Sequence, residues 1–112
     1  MTQENTITAS ETLLISQLIA PTEQGIASRV LAKTTGGNVT LFAFDKGQGL
    51  SEHSAPFDAL LMIQEGSLVL TIDKKPVTAT AGTIVRMPGN IPHAVDAPEA
   101  AKMLLVMLKE IN

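Results

Sequence analysis

The 112-residue sequence contains no cysteine, tryptophan or tyrosine, and only three phenylalanines and two histidines. Without cysteine, disulfides, thiolate catalysis and cysteine-ligated metals are excluded. The net charge is −3 and the few basic residues form no run, so little is available to neutralise phosphates. Three phenylalanines also offer few surfaces on which bases could stack. We therefore expect no nucleic-acid partner.

Two further absences concern secretion and membranes. The N-terminal stretch MTQENTITASETLLISQLIA lacks the positively charged start and the cleavage site of a secretory signal. No apolar run approaches the roughly 20 residues that a helix needs to cross a bilayer. The sequence therefore predicts a cytoplasmic protein with no membrane partner.

The length suits a single domain with one hydrophobic core. Residues 1–12 are polar and predict an N-terminal arm, and residues 13–112 are expected to form the domain. The run LLISQLIA at residues 13–20 is too short for its periodicity to distinguish a helix from an edge strand. Both alternatives remain open from the sequence.

Short apolar segments separated by Gly, Pro, Asn and Asp predict an all-β barrel or sandwich. The segments expected to be strands are residues 26–33, 38–45, 59–63, 67–73, 77–81, 83–87 and 101–109. Residues 73–76 are expected to form a hairpin turn, because proline cannot occupy a central ladder position. No long amphipathic helix is predicted.

Several predicted strands carry apolar residues on both faces. In the third, Ala59, Leu61 and Ile63 alternate with Leu60 and Met62. One face then fills the core, and the other needs cover. A second copy of the chain in a two-fold dimer would supply that cover, and we favour this homodimer. The alternative is that the run at residues 13–20 covers the face within one chain.

The two histidines each follow a glycine-containing turn next to an apolar run. They lie in the stretches GQGLSEHSAPFDALLMIQEG and GTIVRMPGNIPH. The spacings resemble the two signature motifs of the cupin superfamily. The matching positions are Gly47, His53, Gly66, Gly82, Pro88 and His93, with Asn90 where the family has glycine. The resemblance covers roughly residues 26–108, and implies a double-stranded β-helix, or jelly-roll barrel, with both histidines in one cavity.

The resemblance also implies four metal ligands, and the sequence keeps two of them. His53 and His93 match family ligands, whereas the second family histidine falls on Ala55 and the family glutamate falls on Ala59. Alanine donates no electron pair, so metal affinity should be much weaker than in a complete site. Asp58 is the best candidate for a substitute carboxylate, if the chain beyond the preceding proline departs from strict alternation.

Two other residue types leave alternatives open. Met87 is one of four internal methionines, which either line an adaptable pocket or fill the core, and we include it among the expected pocket residues. Arg29 and Arg86 lie within predicted strands, where arginine is usually solvated. Either one would clamp a carboxylate only if it faced the cavity.

Three functions are compatible with this pattern. We favour a small cupin-like protein that binds a small molecule in an apolar cavity, with His53 and His93 at its polar end and metal weak or absent. The alternative is a metal-dependent enzyme of dioxygenase or isomerase type, with a divalent transition metal on the same two histidines. A metal-free acid/base enzyme is a further variant, so enzymatic activity stays open. A purely structural role, in which each imidazole fixes a loop backbone, is also open.

Overall fold

The computed structural model describes residues 6–109 and contains two antiparallel sheets. A 3₁₀ turn at Ile15–Gln17 precedes the strands, and it replaces both the helix and the edge strand considered for this run. The strands are β1 (Ile26–Thr34), β2 (Gly37–Phe44), β3 (Gly49–His53), β4 (Asp58–Glu65), β5 (Ser67–Ile72), β6 (Lys75–Thr80), β7 (Ile84–Met87), β8 (His93–Asp96) and β9 (Ala101–Leu108). Within residues 6–109, no helix is long and apolar enough to cross a membrane.

The two sheets have the interleaved strand order of a jelly roll. The five-stranded sheet runs β1-β2-β9-β4-β7, and the four-stranded sheet runs β3-β8-β5-β6. Strands that are consecutive in the sequence therefore often lie in different sheets. Within a sheet, neighbouring strands such as β2 and β9 are far apart in the sequence. The predicted all-β fold is confirmed. The predicted arm, residues 1–12, lies partly outside the described residues, and its division from the domain stays a prediction.

The core lies between the sheets and follows the two-residue period of the strands. In β4, Ala59, Leu61 and Ile63 are buried in this core, as the alternation predicts. From the facing sheet, Leu68 and Leu70 of β5 contribute fully buried side chains. The inward side chains of the central strands thus pack into a single apolar core.

The outer face of the five-stranded sheet is covered in part by the N-terminal segment. The Lys102 ammonium donates to the Ser16 carbonyl at 2.9 Å, and the Arg29 guanidinium donates to the Leu18 carbonyl at 3.0 Å. Leu41 and Ala43 are fully buried although they lie outside the core cluster between the sheets. The chain therefore provides some of the cover that its outward apolar residues need.

The turn between β5 and β6 is shorter than the sequence suggests. Asp73 and Lys74 have φ values of 50° and 66°, and Lys75 already pairs with Ile72. Two left-handed residues are what a two-residue hairpin requires, because this twist matches that of the flanking strands. Pro76 therefore lies in β6 rather than in the turn. It is tolerated because β6 is an edge strand, where a missing N–H breaks no ladder.

Candidate functional site

The two histidines lie opposite each other on neighbouring strands. His53 is the last residue of β3, His93 is the first residue of β8, and the register of this antiparallel pair places them as direct partners. Their ring centroids are 4.4 Å apart, with the planes inclined at 69° in an edge-to-face arrangement. His53 is exposed and His93 is buried, so the pair extends from the surface towards the interior.

A loop at residues 88–92 delivers His93 to this position, and Asn90 gives the loop its shape. Asn90 has a φ of 65°, and its N–H donates to the carbonyl of Ala55 at 2.7 Å. Asparagine tolerates the left-handed region better than most residues that have a Cβ. The departure from the family glycine at this position is therefore conservative in conformation, and the loop is held against the β3–β4 connection.

Asp58 anchors the same loop from outside the cavity. Its carboxylate accepts a hydrogen bond from the Gly89 N–H at 2.8 Å and another from the Arg86 guanidinium at 2.6 Å. The Gly89 N–H, and secondly Arg86, hold the pKa of Asp58 below its ordinary value. Because β4 already begins at Asp58, alternation turns this side chain away from Ala59. The structure does not bring the expected substitute carboxylate into the cavity.

The paired histidines border a cavity of about 120 Å³ between the two sheets. Its lining residues are Leu50, His53, Ala55, Phe57, Ala59, Met87, His93, Val95, Met103, Leu105 and Met107. Five of the six residues expected from the sequence are brought together here, and Asp58 is the exception. Among the described residues that line the cavity, the two histidines are the only polar side chains.

Both arginines whose orientation the sequence left open lie outside the cavity. Arg29 is bonded to the N-terminal segment, and Arg86 pairs with Asp58. Neither is therefore available to clamp the carboxylate of a ligand in the cavity.

Part of the apolar lining was not predicted from the sequence: Leu50, Phe57, Val95 and Leu105 were missed, and Met103 and Met107 were left open between pocket and core. Met103, Leu105 and Met107 occupy alternate positions of β9, and all three face inward. The signal was present, because residues two apart share a face of a strand. It could not be assigned from the sequence because AKMLLVML is apolar at both parities.

Each imidazole is oriented by a backbone carbonyl two residues before it. Nδ1 of His53 is 2.7 Å from the Ser51 oxygen, and Nδ1 of His93 is 3.2 Å from the Ile91 oxygen. A carbonyl oxygen only accepts hydrogen bonds, so Nδ1 must carry the proton in both rings. In the neutral state Nε2 is then left as the acceptor. The site therefore presents two matched acceptor nitrogens.

His93 favours its neutral form in the folded protein. Burial lowers the pKa of His93 below its ordinary value of 6.5, and repulsion from a protonated His53 lowers the pKa further. The Ile91 carbonyl acts in the opposite direction but does not reverse the shift. Near neutral pH, the buried ring is consequently an uncharged hydrogen-bond acceptor.

This shift predicts a loss of stability in mild acid. As the pH falls below about 6.5, His93 in the unfolded chain binds a proton before His93 in the folded chain does. The free energy of unfolding should therefore decrease through this window and level off below the folded-state pKa. Urea unfolding across the window checks it. His93→Gln should remove this component of the slope, and equal slopes for the two proteins would contradict the assignment.

The residues present do not fit the four-ligand metal centre that the motifs imply. Ala55 and Ala59 both line the cavity next to the histidines, where a histidine and a glutamate would complete such a centre. Within residues 6–109, no group of three or more His, Cys, Asp or Glu side chains is arranged to hold a metal ion. Two imidazoles are thus the whole donor set from these residue types.

Comparison with known proteins agrees with this fold. The cupin domain family model matches residues 40–108. A conserved protein of unknown function from Streptococcus pyogenes is 35% identical, with a TM-score of 0.91 and coverage of 100% of this chain and 98% of that one. A cupin superfamily protein from Desulfitobacterium hafniense is 25% identical, with a TM-score of 0.88 and coverage of 98% and 100%.

A cupin 2 conserved barrel domain protein from Leptotrichia buccalis is 34% identical, with a TM-score of 0.82. Here the match covers 85% of this chain and 46% of that one. No curated protein matches this chain. The chain belongs to the cupin family.

Proposed function

We propose that this cupin binds a small, largely apolar molecule in the cavity between its sheets, with His53 and His93 forming the polar end. The observation that carries the proposal is the composition of the cavity wall, in which the two imidazoles stand among apolar side chains. A concave apolar site with a few convergent polar groups is the usual form of a small-molecule site. The exposed position of His53 gives a ligand a route from solvent.

Titration with toluene, a probe without polar atoms, tests whether the cavity accepts a ligand. We expect shifts of the backbone amide NMR signals that are concentrated on the cavity residues and saturate together. Ala59→Leu should abolish them, because the added carbons occupy the space between Met87 and Met107, which flank Ala59 in the register. Thr78→Ala, at an exposed position of β6, should leave them unchanged. Shifts scattered over the surface would contradict the proposal.

A metal-dependent enzyme remains the second candidate, because the two histidine rings lie edge to face with their centroids 4.4 Å apart. Neutral imidazole is a good ligand for zinc, iron, nickel and copper, but a catalytic site typically has three protein ligands. The proposal that metal is weak or absent is therefore supported by the donor set. Elemental analysis of protein purified without a histidine tag separates the two candidates. Near-stoichiometric metal that disappears in the His53→Ala, His93→Ala double variant would favour the enzyme.

We also propose that two copies associate through the outer face of the five-stranded sheet. The N-terminal segment leaves part of this face open. Ile84 is 59% exposed and Leu108 is 48% exposed, and both lie on the outward parity of their strands. Their outward neighbours Leu60 and Met62 of β4 are only half-buried. The Arg86–Asp58 ion pair lies on the same face, in register with Leu60 and Leu108. Exposed apolar side chains grouped in this way are typical of a contact surface.

Size-exclusion chromatography with light scattering tests this association. We expect a mass of about twice the 11.8 kDa of one chain at micromolar concentration. Ile84→Lys should shift the mass towards one chain, because it places a charge within the proposed apolar contact. Thr78→Lys adds the same charge to the other sheet and should leave the mass unchanged. A single-chain mass for the unmodified protein would overturn the proposal.

A further inference from the structure

The side chains that line the cavity can accept hydrogen bonds from a ligand but offer it no donor. Both Nδ1 atoms are committed to backbone carbonyls, through contacts of 2.7 Å for His53 and 3.2 Å for His93. The nitrogen that remains on each neutral ring is an acceptor. The other lining side chains are those of Ala, Leu, Val, Phe and Met, which offer no N–H or O–H donor. A ligand that hydrogen-bonds to the imidazoles must therefore bring its own donor.

The same wall disfavours charged ligands. A carboxylate or phosphate needs a cation or several donors. The Arg29 guanidinium is engaged with Leu18 and that of Arg86 with Asp58. The Lys109 ammonium lies over the face of the Phe57 ring, 5.6 Å from its centroid. A cation needs a carboxylate, and no Asp or Glu is among the lining residues that the structure describes. Transfer of an unpaired charge into an apolar site is costly. The acceptable ligand is uncharged.

The size of the cavity limits the ligand to about one ring. Its volume is about 120 Å³, whereas an engineered apolar cavity of roughly 150 Å³ holds one benzene molecule. Phe57 and the three methionines of the wall give the cavity apolar, adaptable surfaces suited to a flat ring. A fused-ring system or a sugar would exceed this space or find too few polar partners.

Resting on the proposed binding function, we infer that the ligand is a neutral, single-ring molecule with one hydroxyl group, which donates a hydrogen bond to Nε2 of a histidine in the pair. A phenol or a cyclic alcohol has this chemistry. The backbone carbonyls of Ser51 and Ile91 set the specificity, because they fix which nitrogen accepts. The identity of the class follows from the absence of donors in the wall and from the volume of the cavity.

A series of four probes at about pH 8, well above the ordinary histidine pKa of about 6.5, tests the inference. The probes are phenol, its methyl ether anisole, toluene and benzoate, with affinities measured by NMR titration or calorimetry. We expect phenol to bind about tenfold tighter than anisole, which has the same ring and oxygen but no donor. Benzoate should bind more weakly than toluene, because its charge is left unpaired.

The outcomes separate this inference from the binding proposal. If none of the probes binds, the proposed function fails and the inference fails with it. If toluene and anisole bind as tightly as phenol, or benzoate binds best, the cavity is a binding site but the inferred ligand class is wrong. The double substitution His53→Leu, His93→Leu removes both acceptor nitrogens and should reduce the preference for phenol over anisole about tenfold. Thr78→Ala should keep the full preference.

Imidazole nitrogen NMR supplies a test that needs neither ligand nor variant. The chain has only two histidines, so the signals of both rings can be assigned directly. We expect both rings at about pH 8 to carry the proton on Nδ1. A proton on Nε2 of either ring would turn that end of the cavity into a donor and overturn the argument for that ring.

Discussion

Placing histidine and glutamate at the two alanine positions, by the double substitution Ala55→His and Ala59→Glu, should turn the cavity into a metal site. Both positions line the cavity beside His53 and His93, so the four side chains would converge on one space. Loss of a single outer-shell partner already costs roughly 10–100-fold in metal affinity. Two added direct ligands should therefore raise the affinity for zinc by more than about 100-fold, measured by competition with a chromophoric chelator.

Two matched proteins make this result interpretable. The same double substitution in a His53→Ala, His93→Ala background should show no such gain, because the added ligands would then act without the original imidazoles. Glutamate introduced at Thr78 controls for an added surface charge. If the restored protein binds zinc no better than the unmodified one, the four positions do not converge. The geometric account of the cavity would then be wrong.

The second large effect is expected for Gly66→Ala, which should destabilise the fold by about 3 kcal/mol or more. Gly66 has a φ of 72°, and a Cβ there would overlap the backbone oxygen of Ala100 and crowd Ala101. Both the backbone conformation and the packing of the β4–β5 turn against the start of β9 exclude a side chain. Urea unfolding followed by circular dichroism measures the loss.

Gly82→Ala is the matched control for this prediction. Gly82 also has a left-handed φ, of 88°, but a Cβ there would meet nothing within 4 Å. Only the conformational cost then applies, at about 1 kcal/mol. If the two substitutions cost the same, close approach plays no part at Gly66. The two motif glycines thus look equivalent in the sequence but are required for different physical reasons.

The fold could be predicted largely because its signals are local. Alternation in β4 assigned Ala59, Leu61 and Ile63 to one face, and burial confirms that assignment. β3 and β8 were not predicted as strands, although they carry the two histidines. GLSEH and HAVD are short and mostly lack an apolar alternation, so the sequence gives no local strand signal there. Their pairing depends on long-range contacts such as that of Leu50 with Val95. Only the spacing of the family motifs predicted that the two histidine rings lie close together.

The polar surroundings of the site lay beyond what the sequence could give. Asp58 was expected inside the cavity, whereas it holds Gly89 and Arg86 outside it. The direction of a strand-end side chain depends on the residue at which pairing begins, and boundaries are the least certain part of a pattern. The tautomers of the imidazoles depend on carbonyls two residues away, and no periodicity reports the direction of a carbonyl.

Pro76 has a consequence for how copies of this protein can meet. It lies in β6, the edge strand of the four-stranded sheet, where an added strand would pair with backbone N–H donors. Proline has none to give, and the neighbouring Lys75 adds a charge that repels an identical chain. Growth of the sheet by strand addition is obstructed along this border. The protein can therefore expose apolar residues such as Ile84 on its other sheet without strand-by-strand polymerisation at the β6 edge.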